Sequence, residues 1–308
     1  MNEFHTPVAF FTFNRLETTK RVFEAIREAK PPRLYLVSDG AREHVAGEKE
    51  KVETVRTYLE THIDWECQVF KNYASGNMGC GRRVSSGISW VFENEEEAII
   101  LEDDCLPDPS FFLYCQDMLD YYRDNEKIMM IGGSNPAAYY EVAEDYLFTK
   151  IPYIWGWATW RRSWKLYDFD LKTWPEQKKN HMFRRLMPLK AYWVYMAEFD
   201  ALYKHVYDTW DYQLMYATML HDKLNIVPKI SYTQNIGFQE ESTHTKGTPE
   251  SMEQKVGACT FPIKHREEVE WDREFDQMYF KRTNRHGLTV KIKSILGLDV
   301  NKSIWEKS

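Results

Sequence analysis

The sequence predicts an α/β fold with a mixed, mostly parallel sheet flanked by helices, and three observations carry that expectation. Short apolar runs of β-like density alternate with segments of helical spacing through the first hundred residues. One such run, Ala98-Ile99-Ile100-Leu101, stops abruptly at Glu102-Asp103-Asp104, three adjacent carboxylates placed where a buried parallel strand ends. A chain of 308 residues with 43% hydrophobic content has the apolar mass for a large buried sheet, and no repeat or low-complexity linker divides it.

The elements follow in order. Val8 to Phe13 reads as a buried strand, and Thr18 to Ala29 has helical spacing through Val22, Phe23 and Ile26 before Pro31-Pro32 stops it. Leu34 to Val37 is the second strand, Glu48 to Thr61 a charged helix, and Glu66 to Phe70 the third strand. Val84 to Glu93 is a helix that leads into the strand carrying the acids. Beyond them the pattern becomes mixed: an aromatic-rich helix over Ser110 to Asp124, a short strand over Met129 to Gly132, and a tryptophan-dense segment from Tyr153 to Trp164. Leu189 to His221 reads as largely helical, Asn225 to Tyr232 as a strand, and Gly237 to Thr248 as loop.

Composition narrows the function classes. The formal net charge of -7 supplies no basic face for nucleic acid. Five cysteines, with no C-x-x-C pair, argue against a disulfide framework and a structural zinc site and fit a reducing cytosol. No basic, apolar leader opens the sequence, and no stretch approaches the roughly 20 apolar residues of a membrane span. A soluble cytoplasmic protein, or one held at the inner face of a membrane, is the expectation.

Several segments offer chemistry. Three like charges in succession are tolerated when a hard cation or a polyhydroxylated ligand takes up their charge, although a solvated acidic turn has the same composition. Arg15 and Asp39 follow the first two strands, where an arginine suits a base carbonyl or phosphate and an aspartate suits an imide N-H; taken singly, Ser38-Asp39-Gly40 is more often a turn and a lone arginine a solvated surface residue. Asn77-Met78-Gly79-Cys80-Gly81-Arg82-Arg83 precedes a helix and suits a phosphate at its positive end, or equally a plain loop and helix cap. It matches neither a P-loop nor the dinucleotide G-x-G-x-x-G fingerprint, against ATPase and dehydrogenase readings. Trp155 and Trp157 flank Gly156, a composition shared by sugar-stacking pockets and aromatic core strands. Asp208 and Asp211 stand at the start of a helical pattern, either as N-caps or with Asp211 taking a proton from an acceptor hydroxyl. His244 lies in the polar loop Ser242-Thr243-His244-Thr245, where an imidazole could meet a metal or phosphate, or simply solvent.

Together these residues resemble nucleotide-sugar glycosyltransferases of the GT-A, Rossmann-like fold, most closely the alpha-mannoside β-1,2-N-acetylglucosaminyltransferase family. The resemblance is carried by Ile99-Ile100-Leu101-Glu102-Asp103-Asp104 with Pro107-Asp108-Pro109-Ser110-Phe111-Phe112, then by Trp210-Asp211, Ile226-Val227-Pro228-Lys229-Ile230-Ser231 and Gly237-Phe238. It implies that Asp104 binds a divalent cation, Mn2+ or Mg2+, that Asp103 binds ribose, and that Glu102 binds donor-sugar hydroxyls. It further implies uracil contacts from Asp39 and Arg15, Arg83 near the ribose or diphosphate, Trp210 beside the donor sugar, and Asp211 as catalytic base. Many GT-A enzymes carry a late histidine on the metal or diphosphate, and His244 is the residue here that suits that place. The implied activity is metal-dependent inverting transfer, with N-acetylglucosamine the first sugar to consider, from a UDP-sugar to a hydroxyl of a glycan or lipid-linked saccharide.

The expected catalytic domain spans 1–261, followed by a helical extension over 262–308. In that extension Leu288 to Leu298 alternates apolar residues with lysines, which suits either peripheral membrane contact or docking on the body of the protein. Two other functions stay open: a sugar-1-phosphate nucleotidyltransferase, whose glycine-rich activating loop Phe11-Thr12-Phe13-Asn14-Arg15 does not supply, and a noncatalytic carbohydrate-binding protein.

Overall fold

The computed structural model describes residues 3–135, 137, 140–237 and 256–283. In chain order the first half comprises β1 (Val8–Thr12), α1 (Leu16–Ala29), β2 (Arg33–Ser38), α2 (Glu48–His62), β3 (Gln68–Tyr73), α3 (Cys80–Asn94) and β4 (Glu97–Glu102). The second half adds β5 (Cys105–Pro107), α4 (Ser110–Tyr121), β6 (Ile128–Gly132), β7 (Tyr146–Thr149), β8 (Trp157–Trp160), α5 (Arg161–Trp164), α6 (Trp174–Lys179) and a 3-10 turn at Met182–Arg185. It continues with α7 (Leu189–Tyr203), α8 (Asp211–Leu220), β9 (Leu224–Pro228), β10 (Thr233–Asn235) and α9 (Arg273–Thr283).

Eight strands form one Rossmann-like sheet in the order β3-β2-β1-β4-β8-β6-β9-β7. The first four pair in parallel, β8 runs antiparallel to both β4 and β6, and β7 runs antiparallel to β9. This is the mixed, mostly parallel sheet that the sequence predicts. Every residue of β1 is buried, because helices cover both faces and leave no polar side to alternate with. Val8 and Phe10 pack with Val22, Phe23 and Ile26 of α1 and Val55 and Leu59 of α2. Ala9 and Phe11, one residue out of phase, pack with Val84, Ile88 and Val91 of α3. A two-residue period in the strand thus meets a 3.6-residue period in helices on opposite sides.

Local signals set several ends. Lys30 closes α1 in the left-handed region (φ 50°), its N-H donating to the Ile26 carbonyl, and the two prolines then forbid continuation. The helical stretch expected over Leu189 to His221 is two helices: His205 turns left-handed (φ 52°), and the chain re-enters helix only at Asp211. The strand expected to reach Tyr232 stops at Pro228, and the following residues turn so that β10 pairs antiparallel with β5. Those two strands, three residues each, are too short for period-two alternation to show in sequence.

A second aromatic core, including Trp174, Phe183, Phe199 and Tyr216, covers the β7-β9 end of the sheet. Within the stretch expected as an extension, α9 buries Phe275 and Phe280 in this core. Asp276 fixes that helix: its carboxylate accepts from the Thr149 hydroxyl, the Lys150 N-H (2.9 Å) and the Trp271 indole N-H (2.7 Å). Among the described residues no helix is long and apolar enough to cross a membrane. The lysine-bearing tail from Leu288 lies outside the described residues.

Candidate functional site

The site follows from strand order. β1 lies between β2 and β4, so the loops after these parallel strands diverge from one edge and leave a crevice, the place where open α/β sheets bind ligands. A cavity of about 680 Å³ occupies it. Arg15, Asp39, Arg83, Glu102, Asp103 and Asp104 all line this cavity, as does Trp155.

The acids share one wall with one cation. Arg15 Nη2 donates to Asp103 Oδ1 and, at 3.0 Å, to Asp104 Oδ2. The Phe13 N-H donates to Asp103 Oδ2 at 3.2 Å. Burial raises the Asp103 pKa, and Arg15 opposes that rise. Glu102 faces the cavity but is otherwise enclosed by protein; burial, then the charges of Asp104 and Asp103, raise its pKa. Burial disfavours the Arg15 charge, yet Asp103 and Asp104 more than offset it and hold the guanidinium protonated.

The β5–β10 pair brings a distant segment to this wall. The Ile236 N-H donates to the Asp104 carbonyl at 2.7 Å, and Asn235 and Gly237 join the cavity lining. A Cβ at Gly237 would lie 2.5 Å from Asp104 Oδ2 and 2.9 Å from Arg15 Nη1, so this approach requires a residue without a side chain.

The opposite wall is the N-terminus of α3. Asp39 is buried, and three donors from neighbouring loops hold it: the Gly40 N-H (2.8 Å), the Met78 N-H (2.9 Å) and the Asn77 amide (3.0 Å). The Gly79 N-H also bonds this carboxylate, so protein donors take up most of its acceptor capacity. Arg83 donates to the Asn72 side-chain oxygen at 3.1 Å while its Nε is buried without a partner. Asp208, from the α7–α8 connection, accepts the Gly81 N-H at 2.9 Å and also lines the cavity. Gly79 (φ 82°) and Gly81 make room for it, since a Cβ there would meet Asp208 oxygens at 2.4 and 2.6 Å.

The remaining expected residues fall elsewhere. Trp157 and Trp210 do not line the cavity: their rings stack on each other at 5.7 Å and 20° in the core, 1% and 2% exposed. The pocket role expected for Trp157 and the sugar contact expected for Trp210 do not match this placement, whereas Trp155, two residues before Trp157, does reach the lining. The space beside Gly156 is filled by Thr233, whose Cγ2 lies 2.5 Å from a Cβ built there. Asp211 heads α8, accepts from the Thr209 hydroxyl and adds to the negative potential at Glu102, but it is not among the cavity-lining residues. His244 lies outside the described residues.

Sequence reasoning missed Asn14, Arg42, Lys51 and Asn235, which also line the cavity. Arg42 is held by Glu48 (Nε to Oε2, 2.9 Å), whereas Lys51 forms no ion pair among the described residues. No signal distinguished these four residues from ordinary surface polar groups. Another cluster of possible metal ligands, His5, Glu97 and Asp120, sits at the opposite end of β4, where Arg123 already bridges the two acids at 3.0 and 2.6 Å.

The chain matches no protein-family model and no curated protein. Among solved structures it is similar to the mannosyltransferase PcManGT from Pyrobaculum calidifontis in complex with GDP-Man and Mn2+, at 17% identity over 53% of this chain and 45% of that one, TM-score 0.38. It is also similar to an apo UDP-glucose pyrophosphorylase (10% identity, 74% of this chain and 93% of that one, TM-score 0.36). A third is a mannose-1-phosphate geranyltransferase from Thermus thermophilus (12% identity, 73% and 69%, TM-score 0.27). The chain spans less than half the length of the mannosyltransferase. At scores below 0.5, these likenesses leave the chemistry to be read from the side chains of the cavity.

Proposed function

We propose that this protein is a metal-dependent inverting glycosyltransferase that moves a sugar from a nucleotide sugar, UDP-linked in the first instance, to a hydroxyl of a glycan or lipid-linked acceptor. The observation that supports this most is the opening of Glu102, Asp103 and Asp104 into one cavity with Arg15, Arg83 and the N-terminus of α3. Carboxylates there suit sugar hydroxyls and a hard cation, and the cationic wall suits a diphosphate.

A divalent cation fits the donor set. Three carboxylates face one arginine, and Asp104 Oδ1 receives only the weak Cys105 thiol contact at 3.4 Å. Oxygen-only ligation suits Mg2+ or Mn2+, and Asp104 is the residue that would hold it. Bound there, the cation would stabilise negative charge on a departing diphosphate.

The chain's own groups would do the rest. Asp39 would accept the imide N-H of a uracil, and Arg15 would meet a base carbonyl. Asp103 would bind ribose, Glu102 hydroxyls of the donor sugar, and Arg83 the diphosphate. Asp211 would take the acceptor proton as the hydroxyl oxygen bonds to C1 and the C1–phosphate oxygen bond breaks with inversion. Trp155, on the cavity lining, is an aromatic side chain that would pack beside a sugar.

The test is to incubate the protein with a panel of UDP- and GDP-sugars and candidate acceptors, with and without Mn2+. Nucleoside diphosphate release is measured, and NMR reads the product's anomeric proton. Metal-dependent release with inversion is expected. Pyrophosphate from UTP plus a sugar-1-phosphate would instead establish a nucleotidyltransferase. Sugar binding indifferent to nucleotide and metal would establish a noncatalytic protein.

A further inference from the structure

The stretch from Lys172 to Lys190 carries six Lys or Arg against one acid, Glu176, in a chain whose net charge is -7, so this positive charge is a local feature against an acidic background. It is also anchored to the core. Trp174, Phe183 and Met187 are buried, with the Trp174 and Phe183 rings parallel at 6.4 Å and Phe183 edge-on to Phe199 and Tyr216. His181 turns the chain through the left-handed region (φ 51°) between α6 and the 3-10 turn. With those anchors inward, Lys179, Arg184, Arg185 and Lys190 are exposed and form no ion pair among the described residues, while Lys178 is tied to Asp200 at 2.6 Å. Arg184 lies over the Tyr192 ring at 5.9 Å, and two exposed apolar side chains are interspersed with these cations along the chain: Met182 is 40% exposed and Leu189 46%.

We propose that this ledge docks the protein on an anionic phospholipid surface. Lysine and arginine near such a surface gain attraction from each headgroup charge, and flexible apolar side chains between them enter the interface. The charge complementarity also favours one orientation, because the rest of the chain carries a net negative charge. A dissolved polyanion would satisfy the cations but would leave Met182 and Leu189 with nothing to bury against. The inference goes beyond the proposed transfer reaction and does not depend on which donor the cavity takes.

The full chain is sedimented with vesicles of phosphatidylglycerol mixed into phosphatidylcholine, and with phosphatidylcholine alone, at low and high salt. Binding to the anionic vesicles only is expected. Arg184→Glu with Arg185→Glu should lower the partition constant roughly tenfold or more. Arg21→Glu with Lys49→Glu, exposed positions on α1 and α2 that remove the same net charge, should leave it nearly unchanged. Met182→Ser with Leu189→Ser should remove the binding that survives high salt. Thermal melting and solution diphosphate release, equal to wild type in all three variants, establish that fold and cavity are intact. Equal binding to neutral vesicles, full binding by the Arg184/Arg185 variant, or equal loss in the Arg21/Lys49 control overturns the proposal. Unchanged binding by the Met182/Leu189 variant assigns the ledge to polyanions in general and overturns the membrane reading.

Discussion

The Gly81 N-H donates to the Asp208 carboxylate at 2.9 Å, so a side chain from the α7–α8 connection occupies the positive end of α3 inside the cavity. An anionic ligand approaching that end competes with Asp208. A carboxylate at a helix N-terminus contributes about 0.3–1 kcal/mol. Asp208→Asn should therefore cost under about 1 kcal/mol of stability and tighten metal-free UDP binding about two- to fivefold. Titration calorimetry measures this. Loss of UDP affinity would show instead that Asp208 holds the nucleotide.

Trp155 and Trp157 stand two residues apart and should behave oppositely. Trp157 is stacked on Trp210 in the core, and its truncation to Ala should cost about 3–5 kcal/mol in urea denaturation. Trp155, half-buried on the cavity lining, should cost about 1 kcal/mol when truncated, and its main effect should be weaker nucleotide-sugar binding. A large stability loss for Trp155→Ala with binding intact would remove it from the site.

These two tryptophans also show what could be read from sequence. Strand ends and the acid run were legible because buried parallel strands are continuous apolar runs, and charges mark where they stop. Strand order then brought Arg15, Asp39 and Asp104 together without any further signal being required. Which of Trp155 and Trp157 meets the cavity was not legible, since tryptophan suits both core and ligand wall. Asp208 reached the site only through the break at His205, and Gly237 through pairing of two three-residue strands. Neither contact leaves a periodic trace.

Glu198 predicts a pH dependence of stability. Burial pushes its carboxyl up to about 7, the Tyr207 hydroxyl donating to it opposes the rise, and the Asp211 charge adds to it. In the unfolded chain this group titrates near 4.5. Between those values the folded state holds a proton that the unfolded state has lost, so stability falls as pH rises from about 4.5 to about 7. The difference corresponds to at most about 3 kcal/mol. Glu198→Gln should match wild type near pH 4 and exceed it at pH 8 by up to that amount in denaturant titrations. Equal stabilities at both pH values would show that Glu198 is ionised throughout.

Asp104 and Asp211 should separate binding from chemistry. Asp104 shares Arg15 with Asp103, and Asp104→Ala removes the carboxylate placed to hold a cation while leaving the Arg15–Asp103 pair to preserve the wall. The rise in melting temperature that Mn2+ and a UDP-sugar together produce should disappear in this variant. Asp211→Asn keeps a hydrogen-bond acceptor for Thr209 and removes the proton-accepting charge. It should keep the melting shift and lose turnover by about 10²-fold or more. A full shift in Asp104→Ala, or full turnover in Asp211→Asn, removes the assigned role. Because Asp208 lines the cavity and Asp211 follows three residues later at the head of α8, Asp208→Asn belongs in the same assay. If that variant alone is inactive, the base is Asp208, and the acceptor enters beside the N-terminus of α3.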